Sequence, residues 1–119
     1  MRVKDAVGRF GEQLAAERLQ ADGLTVVERN WRCSDGEVDI VATEGSTLVF
    51  VEVKTRSSPA YGDPAEAIVP AKAARIRRLA VRWLIEHPEH YWPQVRFDVV
   101  AVVRRGPDGP TVRHLRGAF

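Results

Sequence analysis

The chain of 119 residues is 45% hydrophobic and carries a net charge of +2, which fits one compact globular domain spanning residues 1–119 and leaves no room for a second. It has no apolar run of about 18 residues, and Met1-Arg2-Val3-Lys4-Asp5 leads into an amphipathic helix instead of an apolar signal core, so a soluble, cytoplasmic protein with no membrane partner is expected. Cys33 is the only cysteine, which excludes an intrachain disulfide and a cysteine zinc cage and reads as an incidental thiol in a reducing compartment.

A first helix is predicted over Asp5–Ala21, with Gly23 as its stop. Val7, Gly11, Leu14, Ala15 and Leu19 form its core stripe, and Glu12 falls at the border of that stripe, half turned toward the core. Gly8 and Gly11 each lower helix propensity by about 1 kcal/mol relative to Ala, which makes sense where another backbone or a ligand comes close.

Three strands follow, Leu24–Arg32, Glu37–Thr43 and Thr47–Thr55, in an antiparallel meander. Val49, Val51 and Val53 line one face of the third strand and Leu48 and Phe50 the other, which marks it as central. Gly45-Ser46 suits a two-residue II′ hairpin turn. That turn pairs Glu44 with Thr47 and Thr43 with Leu48, and so sets Asp39 opposite Glu52 and Glu37 opposite Lys54. Directly opposed Cβ atoms lie roughly 5 Å apart. Two carboxylates that close repel each other, more so when buried, unless one is protonated or a cation lies between them. A divalent metal resolves the conflict economically.

Arg56–Gly62 reads as a polar loop, and Asp63-Pro64-Ala65-Glu66 as a helix cap with proline at the first helical position. The main helix is placed over Pro70–Glu86, ended by Pro88. Ile76, Leu79, Ala80, Trp83 and Leu84 make its buried stripe, and Arg75, Arg78 and Arg82 share the opposite face. Lys72 lies on the buried side, in a first turn where the helix dipole disfavours a cation, which implies an anionic partner. A fourth strand, Val95–Val103, and a fifth, Thr111–Leu115, flank the Gly106-Pro107-Asp108-Gly109 turn. Charge is segregated along this order. Residues 24–55 carry −3 through Glu28, Asp35, Glu37, Asp39, Glu44 and Glu52, whereas residues 70–87 carry +4 through Lys72, Arg75, Arg77, Arg78 and Arg82. An acidic centre flanked by basic elements suits a polyanion gripped while a metal sits at the reacting phosphate.

Magnesium takes oxygen ligands, commonly one or two carboxylates, and keeps its remaining waters for substrate phosphate. Asp39 and Glu52 meet that need. Lys54 projects from the same strand face as Glu52, where it can polarise water or neutralise charge building on phosphorus. Glu12 enters from the helix as a supporting acid or a further ligand. The parts describe metal-assisted phosphodiester hydrolysis.

Asp39 and Glu52-Val53-Lys54, on consecutive strands behind a helix bearing Glu12, resemble the PD-(D/E)xK nuclease superfamily. More narrowly, Gly11-Glu12, Arg29-Asn30, Gly36-Glu37-Val38-Asp39, Phe50-Val51-Glu52-Val53-Lys54-Thr55-Arg56 and Phe97-Asp98-Val99-Val100 are similar to the small bacterial YraN family, described as candidate endonucleases related to archaeal Holliday-junction resolvases. The resemblance runs from about Gly8 to Val103. It implies an α/β, restriction-endonuclease-like core in the order α-β-β-β-α-β-β, a central mixed sheet whose antiparallel three-strand meander is flanked by helices, dependence on Mg²⁺ or Mn²⁺, and nucleic acid, DNA above all, as substrate. It makes Asp39 and Glu52 metal ligands, Lys54 the catalytic lysine and Glu12 the helix acid. Val38 departs from the proline of the superfamily's name. The main helix lacks the glutamine and tyrosine of exonuclease-like relatives, which leaves Lys72 as the phosphate contact and favours a structure-selective endonuclease.

The other polar residues have plainer readings. Glu37 reads as a salt-bridge partner of Lys54, Asp98 as a structural acid bonded to backbone or Arg, and His87 and His90 as surface residues at a helix exit. Trp31, Trp83 and Trp92 read as packing, and Tyr61 sits in the loop nearest Lys54. Arg29, Arg32, Arg56, Lys72, Arg75, Arg78 and Arg82 are the candidate nucleic-acid contacts, which predicts salt-dependent binding. One site per domain cuts one strand, so a symmetric junction calls for a homodimer. The rival reading is a non-catalytic nucleic-acid-binding module that kept the fold and lost turnover.

Overall fold

A computed structural model describes residues 3–57 and 68–119. Tyr61, the expected cap Asp63-Pro64-Ala65-Glu66 and most of the polar loop lie outside the described residues. The elements are α1 (Val3–Ala21), β1 (Thr25–Cys33), β2 (Gly36–Glu44), β3 (Thr47–Arg56), α2 (Pro70–Glu86), β4 (Gln94–Gly106) and β5 (Gly109–Leu115). The five strands form one sheet in sequential order. β1, β2 and β3 pair antiparallel, β4 runs parallel to β3, and β5 returns antiparallel to β4. This is the mixed sheet of the restriction-endonuclease-like core. A parallel neighbour needs a crossover, and α2 lies within it.

The central strand is apolar on both faces because a helix covers each. Val49 and Val51 pack with Ala15, Ala16, Leu19, Ile40, Val100 and Val102 under α1. Leu48 and Phe50 pack with Trp31, Val41, Leu79, Ala80 and Trp83 under α2. Phe50 meets Trp83 edge-on at 5.8 Å and stacks on Phe97 at 5.9 Å, and each large side chain buried here contributes roughly 1.5–3 kcal/mol. The tryptophans at 31 and 83 are thus core residues. His87 is half-buried, stacked on Trp83 at 3.9 Å, and not a simple surface residue.

The β2–β3 turn forms as its residues dictate. Gly45 has φ 59 and Ser46 is not in the left-handed region, which is the II′ pattern. Thr43 pairs with Leu48 and Glu44 with Thr47. α2 begins at Pro70, whose missing N–H costs nothing at a helix start, and closes at His87, whose N–H donates to the Leu84 carbonyl at 3.3 Å. Among the described residues no helix is long and apolar enough to cross a membrane.

Candidate active site

The sheet opens where β2 leaves β3. Regular pairing between them ends at Ile40 and Val51, one residue short of setting Asp39 against Glu52. Beyond that point the Asp39 carboxylate takes over the work of the ladder, its Oδ2 accepting the Val53 N–H at 2.8 Å. The cause lies in β1. Asn30 has φ 54, and the pairs Arg29–Ile40 and Trp31–Val38 on either side place it opposite Asp39. A left-handed residue within a strand breaks the period-two alternation. Arg29 accordingly reaches Gln13 of α1 at 3.1 Å, whereas Trp31 packs under α2. Across the ladder Ile40 lies under α1 and Val38 under α2, so Asp39 stands at the inversion.

Asp39 enters a cleft of about 560 Å³ with Val7, Gly8, Glu12, Val53, Lys54, Thr55, Arg56 and Ser57 on its walls. The two α1 glycines have different reasons. A Cβ on Gly11 would collide with the Thr55 side chain, so Gly11 lets the helix settle on β3, whereas a Cβ on Gly8 would meet nothing within 4 Å. Gly8 keeps cleft wall low.

Glu52 is only 8% exposed and is not among the residues on the cleft walls. Its Oε1 is 2.6 Å from Lys72 Nζ and 3.6 Å from Lys54 Nζ. The anionic partner that Lys72 requires is therefore Glu52 itself. Burial opposes the Lys72 charge, but hydrogen bonding to Glu52 holds its pKa above the usual lysine value. Lys54 goes the other way, lowered by burial and by the neighbouring Lys72. Among the described residues Asp39 forms no ion pair. Burial, and then the charge on Glu52, push its pKa up to about 7 against the bond from Val53, with Glu12 and Glu37 adding to the rise.

The structure thus brings Glu12, Asp39, Glu52, Lys54, Arg56 and Lys72 together. Glu37 is not the partner of Lys54: it bonds Arg32 at 2.6 Å across the β1–β2 ladder. Arg82 on α2 is held by Asp35 and Glu86, both at 3.1 Å, and by Ser34. Arg75 and Arg78 are exposed on α2. Two arginines not predicted from sequence stand near the cleft. β3 ends at Arg56, paired with Val103, and Arg104 and Arg105 of β4 run past it, the Arg105 N–H donating to the Ser57 carbonyl at 2.9 Å. The Arg-Arg pair just before the β4–β5 turn was their only signal.

Among the described residues no group of three or more His, Cys, Asp or Glu side chains is arranged to hold a metal ion. Asp39 and Glu52 are hard oxygen donors, two in number and short of positive charge on the Asp39 side. Such a donor set fits an ion that keeps several waters, not one needing a closed protein cage.

The fold is that of an α/β protein related in fold to the PD-(D/E)xK nucleases. The chain belongs to the uncharacterised protein family UPF0102, whose family model matches residues 11–102. It is 61% identical over 117 residues to a UPF0102 protein of Beutenbergia cavernae, covering 98% of each chain. It is 60% identical to one of Frankia alni over 120 residues, covering 100% of this chain and 98% of the other. One of Acidothermus cellulolyticus is 53% identical over 126 residues, covering 98% and 96%.

Proposed function

We propose that the chain is a divalent-metal-dependent endonuclease that hydrolyses phosphodiester bonds in DNA. The observation that carries this reading is the state of Asp39: a half-buried carboxylate at the wall of an open cleft, pushed up to about 7 by burial and by other acids, with no ion pair among the described residues. Uncompensated negative charge beside a cavity is an invitation to a cation. Asp39 and Glu52 would hold Mg²⁺ or Mn²⁺. Bound there, the ion supplies positive charge against which a phosphate oxygen and an attacking water are polarised.

The remaining steps fall to the chain's own side chains. Glu12, from the α1 wall, orients water through hydrogen bonding. Lys54, its ammonium disfavoured by burial and by Lys72, is suited to exchange a proton with the attacking water or to face the charge on phosphorus. Arg56, Arg104 and Arg105 grip flanking phosphates, since among the described residues their side chains form no ion pair or hydrogen bond. Arg32 and Arg82 already serve internal acids, and the exposed Arg75 and Arg78 lie on α2, away from the cleft walls. The similarity to resolvase-related YraN proteins supports branched DNA as substrate, with a homodimer for symmetric junctions.

The test is a panel of duplex, flapped, single-stranded and four-way DNA incubated with Mg²⁺ or Mn²⁺. Cleavage is expected, and Asp39→Asn, Glu52→Gln and Lys54→Met should each reduce it by about 10²-fold or more while leaving the fold intact. No cleavage of any substrate with either metal sinks the reading. Glu52 already having two lysines favours the second reading, a binding module without turnover. In that case Asp39→Asn leaves DNA affinity unchanged or improves it, and calorimetry finds no metal site.

A further inference from the structure

Glu52 carries more positive charge than it needs. One ammonium neutralises one carboxylate, yet Lys72 and Lys54 both approach the same oxygen, at 2.6 and 3.6 Å. The second lysine brings like-charge repulsion into a partly desolvated space. Lys54 belongs to Glu52's own strand and is fixed by it. Lys72 arrives from the first turn of α2, where the helix dipole works against a cation and no acidic residue offsets it. Among the described residues its ammonium forms an ion pair with Glu52 alone, at the end of a four-carbon stem that can swing away.

We propose that Lys72 is a built-in counter-ion, which occupies the cation position at Glu52 and must be displaced before a divalent metal binds. This rests on the reading of Asp39 and Glu52 as the metal pair. A buried carboxylate without a partner destabilises the fold, so an arrangement that folds before meeting metal needs a substitute charge. Lys72 provides it. A divalent ion beside Asp39 and Glu52 would place three cations around one carboxylate, and the ammonium that reaches in from a separate element, α2, leaves. Metal affinity is then set by competition: the wild-type chain binds metal more weakly than its carboxylates allow. The released ammonium, one side chain's reach from the cleft, becomes available to a substrate phosphate.

Calorimetric titration of the purified chain with Mn²⁺, compared across wild type, Lys72→Met and Lys72→Gln, tests this without any assay of cleavage. Lys72→Met is expected to bind Mn²⁺ about 10-fold more tightly than wild type. Its thermal midpoint without metal should fall, and added Mn²⁺ should raise that midpoint further than it raises the wild type's. Lys72→Gln keeps a donor for Glu52 without the charge, so it should also bind more tightly and serves if the methionine variant does not fold. Equal or weaker Mn²⁺ affinity in the variants, with clear binding by wild type, overturns the counter-ion role and leaves the metal reading standing. No Mn²⁺ binding by wild type or either variant overturns both.

Discussion

The middle of α1 and its C-terminal end meet two acidic clusters built on opposite plans. At mid-helix Glu12 faces Asp39, whose pKa is pushed up to about 7 because burial and neighbouring acids outweigh one backbone bond. Beyond its end Asp22 joins a network around Asp98, which is fully buried. Asp98 accepts both Arg96 donors at 2.8 and 2.9 Å, the Gly117 N–H at 3.0 Å and His114 Nε2 at 2.7 Å. Burial alone would raise its pKa, yet the bonds from His114, Arg96 and Gly117 pull it down to about 2. His114 Nδ1 continues to Asp22 at 2.9 Å and Arg96 to Glu44 at 2.8 Å. Two aspartates on one sheet therefore differ in what surrounds them, not in depth alone. The fully partnered cluster locks β4, β5 and the α1 terminus together. The under-partnered one borders a cleft, and an acid left short of positive charge is what a structural role would have removed.

The largest difference should appear on removing each aspartate. Asp98→Ala leaves Arg96 with Glu44 alone and His114 with Asp22 alone, and removing the central partner of such a buried network costs about 3–5 kcal/mol. Asp39→Asn removes a repelling charge and keeps an acceptor for Val53, so stability should change by less than about 1 kcal/mol, in the stabilising direction if at all. Urea unfolding of both variants, with far-ultraviolet dichroism as the probe, measures the contrast. Similar losses in the two would erase the distinction between a structural and a functional acid.

The next effect is the pH dependence of the sealed cluster. Asp98 first, and Asp22 after it, raise the His114 pKa above its usual value despite burial. A histidine whose folded pKa lies above its unfolded one contributes stability that is fully present below about 6.5 and is lost as pH rises through the folded pKa. His114→Gln should cost about 2 kcal/mol at pH 6, where two hydrogen bonds to charged groups are lost, and distinctly less at pH 9. Unfolding midpoints of wild type and variant at the two pH values check it. A gap that widens with pH would mean that His114 is held neutral.

The contrast between the clusters was only half legible in the chain. Local grammar served well: Gly45-Ser46 set the β2–β3 register, Pro70 and Pro88 bracketed α2, and the alternation along Leu48–Val53 identified a strand covered on both sides. Counting by twos then carried Asp39 and Glu37 too far. Asn30 in a left-handed conformation, and the register shift between Val26 and Glu28, invert the pleat in β1, and β2 follows. Glu37 thereby falls to Arg32 and Asp39 to the Val53 N–H. The acid Asp98 was legible as structural, but its partner His114 was not, because it depends on β5 pairing beside Val100. The position of Lys72 on α2 was readable, whereas its contact with Glu52 follows from where the helix sits on the sheet.

The smallest test works within α1, where the helix passes from cleft to seal. Gly11 lies against Thr55, and a methyl group there collides with that side chain. The β3 backbone limits how far Thr55 can give way, so Gly11→Ala should cost about 1–3 kcal/mol, the usual range for overpacking. At Gly8 a Cβ meets nothing within 4 Å among the described residues, and glycine is about 1 kcal/mol worse than alanine inside a helix. Gly8→Ala should therefore stabilise the fold by up to about 1 kcal/mol, read from the same urea unfolding. The glycine at 8 then has no structural purpose that alanine would not serve better. Its value would lie in the cleft: Gly8→Ala should weaken DNA binding or cleavage while the protein becomes more stable. A stabilised variant with unchanged DNA affinity and cleavage would show that this wall of the cleft is not approached by substrate.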